Sequence, residues 1–152
     1  MHIKITRAVV DDIPLLCALL HALFSREAEF EPDHDAQARG LAAIIDDPAV
    51  GDILVARESG RVLGMINILY TVSTALGGPV AVFEDMIVSP ASRGAGIGTA
   101  LLGHAIELAR SKGCRRITLL TDSDNDAAHR FYLRQGFSRS SMVAFRLLLD
   151  QL

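Results

Sequence analysis

The sequence predicts an α/β fold in which helices cover a mixed β-sheet. Residues 82–99 have the pattern of an apolar strand, a glycine-rich turn and the start of an amphipathic helix. Three β-rich stretches in succession precede that helix, and their short turns predict antiparallel pairing. A further β-rich stretch follows the helix, and a strand–helix–strand connection predicts a parallel pair. The hydrophobic share of 50% and the 12 glycines are typical of a globular α/β protein.

Length and composition predict a single domain covering residues 1–152. The net charge of −3 argues against nucleic-acid binding through a basic surface. The N-terminal residues lack the pattern of a signal peptide, and Cys17 and Cys114 have no metal-binding or CxxC spacing. These features predict a cytoplasmic protein with no membrane partner, no nucleic-acid partner and no bound metal.

The first third of the chain is predicted to form one strand and two helices. Alternation predicts a strand over residues 3–7. Apolar residues at helical spacing predict a helix over residues 12–26, with Asp11 as its N-cap and Pro14 in its first turn. A weaker helix is predicted over residues 35–45.

The rest of the chain alternates strands and helices. Strands are predicted over residues 52–57, 62–70, 80–88 and 116–121, the last of them buried, and helices over residues 96–112 and 126–135. Gly113 and Gly136 are expected to end the two helices. One or two closing strands are predicted over residues 137–149.

The glycine-rich turn before the third helix predicts an anion-binding site. Few side chains obstruct it, and the unpaired N–H groups and positive dipole end of the helix favour a phosphate. A P-loop is excluded because no lysine precedes Gly98-Thr99. A Rossmann dinucleotide site, and hence an oxidoreductase, has Gly94-x-Gly96 and Asp122 in its favour. However, Thr99 occupies its third-glycine position, and five residues separate the strand from the first glycine.

Three motifs in the same order resemble the GNAT superfamily of N-acetyltransferases. Arg93-Gly94-Ala95-Gly96-Ile97-Gly98 matches the family's Arg/Gln-x-x-Gly-x-Gly/Ala signature, and residues 84–90, EDMIVSP, resemble its fourth strand. Residues 125–137, NDAAHRFYLRQGF, resemble its Asn-x-x-Ala-x-x-Phe-Tyr-x-x-x-Gly-Phe run. The resemblance implies a GNAT fold, with a mixed central sheet of about six to seven strands flanked by about four helices.

The same resemblance implies a reaction, a cosubstrate and residues that bind it. The protein is expected to move an acetyl group from acetyl-CoA to a primary amine of a small molecule or peptide. The family's fourth strand carries a bulge, and its backbone binds the pantetheine arm. The residues implied to bind acetyl-CoA are Met86, Ile87, Val88, Arg93, Gly94, Gly96, Gly98, Thr99 and Asn125, the last of which also suits a helix cap.

Two residues are the catalytic candidates. Tyr132 matches the family tyrosine that protonates the leaving thiolate, although its ring could instead pack beside Phe131 as a structural residue. Glu84 is the candidate general base, acting directly or through a water, with a purely structural carboxylate as the alternative. On a regular strand Glu84 and Met86 share a face, and Asp85 points the other way unless a bulge redirects it.

Several questions stay open at the level of sequence. A non-catalytic acyl-CoA-binding sensor is the alternative from another functional class. Five carboxylates within residues 27–35 form either a solvated loop or an acidic rim that attracts a cationic amine, and neutralising Glu27, Glu29 and Glu31 would test the rim. A homodimer through sheet edges is compatible with the resemblance, and residues 142–149 suit either an interface or a central strand.

Overall fold

The computed structural model describes residues 2–25 and 32–149. The chain divides into two compact units, Met1–Leu120 and Thr121–Leu152. The first unit contains five strands: β1 (Lys4–Arg7), β2 (Gly51–Glu58), β3 (Arg61–Ser73), β4 (Gly78–Val88) and β5 (Ile117–Leu119). It also contains three α-helices: α1 (Ile13–Phe24), α2 (His34–Asp46) and α3 (Ile97–Ser111). That residues 1–152 act as one domain stays a prediction.

The five strands form one mixed sheet in the order β1-β2-β3-β4-β5. The first three neighbouring pairs are antiparallel, and β4 and β5 are parallel because α3 connects them. A dinucleotide-binding fold needs a largely parallel, doubly wound sheet. The strand directions therefore exclude the Rossmann interpretation that Gly94, Gly96 and Asp122 had left open.

The predicted count of six to seven strands is too high for the part of the chain that the structure describes, which has five. The missing strands are the one or two closing strands predicted in residues 137–149, which carry no strand in the structure. Apolar composition alone does not make a strand, because a strand also needs a neighbouring backbone with which to form a hydrogen-bonded ladder. The predicted strand over residues 116–121 is present as β5, but it is short and only half-buried.

The core of the first unit lies between the sheet and its helices. Buried apolar side chains from α1, α2 and the central strands form one cluster, including Leu16, Leu20, Leu41, Val55 and Met65. On α3, the buried stripe consists of Ile97, Leu101, Leu102, Ala105 and Ala109. Burying one Leu, Ile or Met side chain stabilises a fold by roughly 1.5–3 kcal/mol. These apolar contacts therefore hold α1, α2 and α3 against the sheet.

Helix ends agree with the sequence in most places. Asp33 caps α2 by accepting the Ala36 N–H at 3.1 Å, and Gly113 follows α3 with φ +78°. The predicted Asp11 cap of α1 is wrong. Instead, Asp12 is buried at the helix start, where its carboxylate accepts the Val9 N–H and pairs with Arg57.

The second unit contains one helix, α4 (Asp126–Arg134), among its described residues. Asn125 caps it, accepting the Ala128 N–H at 3.1 Å, and Gly136 follows its end with φ +97°. No helix in residues 2–25 or 32–149 is both long and apolar enough to cross a lipid bilayer.

Candidate functional site

The glycine-rich turn predicted before α3 is present between β4 and α3. Gly94 and Gly96 have φ values of +84° and +78°, in the left-handed region that favours glycine. Gly96 is the N-cap of α3. Apart from the adjoining backbone, no atom of the described residues lies within 4 Å of where a Cβ would sit on either glycine, so both positions face open space.

The start of α3 presents unpaired N–H groups beside this turn. Ile97, Gly98 and Thr99 are its first three residues, so their N–H groups have no carbonyl partner within the helix. Within the described parts of the chain, no side chain caps this helix. Arg93 is exposed beside the turn, and its Nε donates to the Val88 carbonyl oxygen at 3.3 Å. The N–H groups, the helix dipole and a nearby guanidinium together suit a phosphate-bearing ligand.

Strand β4 carries the bulge that the family resemblance implies. Met65 on β3 pairs with Ile87, whereas Asn67 pairs with Glu84. Between these pairs one residue of β3 faces two residues of β4, Asp85 and Met86, which defines a β-bulge. Asp85 adopts φ +54°, a conformation that few non-glycine residues adopt and that Asp tolerates better than most.

The bulge turns the Asp85 carboxylate toward β3. Its Oδ2 accepts a hydrogen bond from the Asn67 Nδ2 at 2.6 Å, and Asn67 is only 3% exposed. The pKa of Asp85 is raised to about 6, first by burial and then by the neighbouring Glu84 carboxylate, while the Asn67 hydrogen bond opposes the rise. A carboxylate with a pKa near 6 can accept a proton close to neutral pH.

The two neighbouring carboxylates are therefore in different environments. Glu84, the predicted general base, is exposed on β4, whereas Asp85 is half-buried at the bulge. Sequence reasoning placed Asp85 on the opposite face unless a bulge redirected it, and it gave Asn67 no role. The available signal for Asn67 was a single amide inside the otherwise apolar stretch Met65–Leu69 of β3, where an unpaired polar group would be costly.

The edge of β4 beyond the bulge has no strand partner in the described sheet. β5 pairs with β4 only from Ala81 to Phe83. The Val88 carbonyl oxygen on this edge accepts from the Arg93 Nε, and the other backbone groups of residues 84–88 that point away from β3 suit an extended ligand that binds as an added strand would. The predicted backbone-binding residues lie here: Met86 and Val88 are half-buried, and Ile87 is 4% exposed.

The second unit holds the two remaining predicted residues. Tyr132 lies on α4, and its ring makes edge-on contacts with Phe131 at 5.2 Å and Phe137 at 5.7 Å between centroids. Burial raises the pKa of the Tyr132 phenol above its usual value, so the hydroxyl stays protonated at neutral pH. Asn125 acts as the cap of α4. Of the acidic segment over residues 27–35, Glu27, Glu29 and Glu31 lie outside the described residues.

The fold and the site define a class of protein. A mixed-sheet α/β unit presents a bulged strand, an anion-binding turn and a helix N-terminus in one continuous stretch, which suits an extended ligand that carries a phosphate. A family model described as "Acetyltransferase (GNAT) family" matches residues 16–137. The chain belongs to this family, and it is an acyltransferase enzyme rather than a non-catalytic binding domain.

Individual relatives agree with this assignment. Aminoalkylphosphonate N-acetyltransferase of Salmonella typhimurium is 32% identical over 137 residues, which cover 90% of this chain and 86% of that protein. An acetyltransferase structure from Trypanosoma brucei is 27% identical with a TM-score of 0.76, covering 97% of this chain and 100% of that one. A predicted acetyltransferase from Clostridium acetobutylicum, crystallised with acetyl-CoA, shares the fold at 18% identity and a TM-score of 0.79, covering 99% of each chain.

Proposed function

We propose that this enzyme transfers the acetyl group of acetyl-CoA to a primary amine of a small molecule or peptide, by direct attack of the amine on the thioester. The observation that carries the proposal is the bulge in β4, which turns one carboxylate inward beside an unpaired strand edge. The same strand runs into the glycine turn and α3. Proton acceptor, ligand-binding edge and phosphate site thus follow one another along residues 84–99.

The residues of the turn fit acetyl-CoA, which supplies the acetyl group as a thioester. The N–H groups of Ile97, Gly98 and Thr99 are available to the diphosphate, with Gly94 and Gly96 leaving room for the backbone to approach it. Arg93 adds a positive charge at the turn. The acetyl-CoA in the C. acetobutylicum structure supports this assignment at the level of the fold.

The free edge of β4 fits the pantetheine arm. Backbone groups of Met86, Ile87 and Val88 bind the arm as an added strand would bind, and this fixes the thioester next to the bulge. An N–H group of the same segment stabilises the thioester oxygen as negative charge develops on it. Backbone donors are suited to this task because the strand holds them in place before the reaction begins.

We assign proton acceptance from the amine to the acidic pair Glu84 and Asp85, with Asp85 as the favoured member. An ammonium group must lose a proton before its nitrogen can attack a carbonyl carbon, and that proton moves to a carboxylate oxygen. Asp85 has the raised pKa and the fixed orientation that a base needs, whereas Glu84 is exposed. Glu84 is kept as the alternative base and contributes negative charge that favours a cationic amine.

Tyr132 is proposed to protonate the departing thiolate. Its phenol remains protonated at neutral pH, as an acid requires. Tyr132→Phe keeps both ring contacts and removes the hydroxyl, so kcat is expected to fall by at least tenfold while the affinity for acetyl-CoA stays within about twofold, since acid catalysis typically contributes 10²–10⁴-fold. Unchanged turnover would assign Tyr132 to packing. Asn125 is proposed to contact the pantetheine arm in addition to capping α4.

The acceptor is proposed to be a small primary amine. The Salmonella relative is named for an aminoalkylphosphonate, a primary amine attached to an anionic group, and the match extends over most of both chains. The acidic segment with Glu27, Glu29 and Glu31 is kept as a proposed rim for the ammonium group. Homodimer formation also stays a proposal.

Ligand binding and thiol release test the proposed function together. Acetyl-CoA at 100 times its Kd should stabilise the fold by ~2.7 kcal/mol, a Tm rise of roughly 5–10 °C for a chain of this size. NADH serves as the ligand control. Coenzyme A release is then followed with an aminoalkylphosphonate, the matching alkylphosphonate without the amine, and a lysine-containing peptide. The proposal requires amine-dependent release, and it is wrong if no acetyl-CoA binding is seen.

A pair of glycine variants localises the binding. Gly96 at the turn and Gly60 in the β2–β3 hairpin both have φ near +78°, and beyond the adjoining backbone neither has a described atom within 4 Å of a Cβ position. Gly96→Ala and Gly60→Ala should therefore each cost about 1 kcal/mol of stability through the same backbone strain. Only Gly96→Ala is expected to weaken acetyl-CoA binding, by tenfold or more. Equal weakening in both variants would contradict the assignment of the turn.

A further inference from the structure

Asn67 is an unusual residue for its position in the sheet. It lies near the middle of β3, is 3% exposed, and is surrounded in sequence by buried apolar side chains. Its Nδ2 donates to the Asp85 Oδ2 at 2.6 Å, but its Oδ1 is buried and has no hydrogen-bond partner among the residues that the structure describes. A buried amide oxygen without a partner costs roughly 1–3 kcal/mol, so a merely structural role would be better served by an apolar side chain.

The unpaired oxygen has a consequence for how the amide can turn. Rotation of the Asn67 amide by 180° exchanges Oδ1 and Nδ2. In either orientation the amide atom that faces Asp85 can form a hydrogen bond with its carboxyl group. The rotation breaks no hydrogen bond on the other side of the amide, because Oδ1 has no partner there among the described residues. The protonation state of Asp85 therefore decides the orientation: a carboxylate accepts from Nδ2–H, and a carboxylic acid donates its O–H to Oδ1.

The groups of the described residues that shift the pKa of Asp85 show that Asn67 is the one that stabilises its carboxylate form. The acidic group whose field acts on Asp85 is Glu84, and it raises the pKa. The helices that contact β4, α1 and α3, carry the titratable side chains Cys17, His21, His104, Glu107 and Arg110, and none of these five contributes to the pKa shift of Asp85. Of the groups that act on Asp85 within the described residues, the one that favours its ionised form is Asn67.

We propose that Asn67 is the positioning residue of this site, hydrogen-bonding Asp85 in both of its protonation states: as a donor before Asp85 takes the proton of the amine, and as an acceptor afterwards. The proposal rests on the proposed function for its catalytic meaning. The step is balanced: the ammonium N–H bond breaks, the Asp85 O–H bond forms, and the electron pair remains on the amine nitrogen. Asn67 exchanges no proton itself.

A carboxyl titration tests the proposal without any substrate. The midpoint for Asp85 is measured by 13C NMR in the free protein, for the unmodified chain, Asn67→Leu and Tyr70→Phe. Leucine has the same branched shape as asparagine but cannot hydrogen-bond. The control residue Tyr70 lies on the same strand and donates to Asp52 at 2.6 Å, so Tyr70→Phe also removes a hydrogen bond of β3 but lies outside the bulge.

The expected result is an upward shift of the Asp85 midpoint by about one pH unit in Asn67→Leu and no shift in Tyr70→Phe. In the unmodified chain, the side-chain 15N signal of Asn67 should titrate together with Asp85. The proposal is overturned if Asn67→Leu leaves the midpoint unchanged or if Tyr70→Phe moves it equally. Should Asn67→Leu not fold, Asn67→Ser, whose hydroxyl is too short to span the contact, gives the same expected shift.

The pH dependence of kcat/KM separates this proposal from the function on which it rests. If both hold, the acidic limb of the profile moves to higher pH in Asn67→Leu by the same amount as the NMR midpoint, with little change in KM. If the carboxyl midpoint moves but no amine is acetylated, the proposed function fails while the role of Asn67 stands. If acetylation occurs and the limb does not move, the role of Asn67 fails alone.

Discussion

Asp11–Asp12 and Glu84–Asp85 in the first unit are two pairs of neighbouring acidic residues. Comparing them shows how burial changes the pKa of a carboxylate with and without a countercharge. In each pair the first residue is exposed and the second turns inward. Asp12 meets a bidentate arginine, with both Arg57–carboxylate contacts at 2.6 Å. Within residues 2–25 and 32–149, the side chain that hydrogen-bonds Asp85 is the neutral amide of Asn67. The pKa of Asp12 is consequently lowered, and that of Asp85 is raised to about 6.

The difference separates a structural carboxylate from a reactive one. Asp12 also accepts the Val9 N–H at 2.8 Å, and Arg57 donates to Thr6 at 2.8 Å, so this cluster joins β1, β2 and the start of α1. The negative charge of Asp12 is therefore balanced by the positive charge of Arg57. The negative charge of Asp85 lies beside that of Glu84, and the Asp85 backbone adopts the left-handed conformation. Such strain and incomplete compensation are found together at functional sites, where a group has to change its protonation state.

The largest expected effect is on turnover. Asp85→Asn should lower kcat/KM for amine acetylation by about 10²–10⁴-fold, since that is the usual contribution of a general base. The deficit should narrow at high pH, where the amine loses its proton without help. Glu84→Gln, at the exposed neighbour, should cost less than tenfold. If Glu84→Gln lowered kcat/KM more than Asp85→Asn, Glu84 would be the base, and burial would not identify the reactive carboxylate.

The next effect is on stability. Asp12→Asn leaves Arg57 without its countercharge and should destabilise the fold by about 3 kcal/mol, at the low end for a buried pair because Arg57 keeps 26% of its side chain exposed. Urea unfolding measures this loss. The matched control is Asp11→Asn at the exposed neighbour, with an expected change within about 0.5 kcal/mol. Comparable losses in both variants would show that the ion pair is not what holds the segment.

The smallest effect is on how stability depends on pH, and its sign differs between the two sites. Because the pKa of Asp12 is lowered on folding, its contribution is present above pH 3.8 and is lost as the pH falls below that value. Because the pKa of Asp85 is raised from 3.8 to about 6, folding favours its protonated form, and stability declines as the pH rises through that window.

Asp85→Asn should therefore be more stable than the unmodified chain at pH 7, by roughly 2–3 kcal/mol, and equal to it near pH 3. Asp12→Asn should be less stable at pH 7, with the difference shrinking below pH 3.8. Thermal unfolding across pH 3–7 measures both differences. Parallel profiles for the two variants would remove the distinction between the compensated and the uncompensated carboxylate.

Much of the fold could be predicted from local patterns. Hydrophobic periodicity located α1, α2, α3 and α4 to within a few residues, and the spacing of short turns predicted the antiparallel strands β2 to β4. The glycine turn before α3 was predictable because glycine has no Cβ, so Gly94 and Gly96 can adopt a positive φ without strain. The closing strands over residues 137–149 were not predictable, because pairing depends on a partner backbone that is distant in sequence.

By itself, the sequence determined the family, the glycine turn and the position of an acidic pair on β4, since each depends on residues that are neighbours along the chain. Tertiary structure alone decided which acid turns inward and what it meets. One extra residue in β4 redirects Asp85, and Asn67 reaches it from 18 residues away through the register of β3 and β4. The same holds for Asp12, whose partner Arg57 is 45 residues distant. A carboxylate is a candidate by sequence, but its pKa depends on burial and on the charge of its neighbours, which only the packed chain supplies.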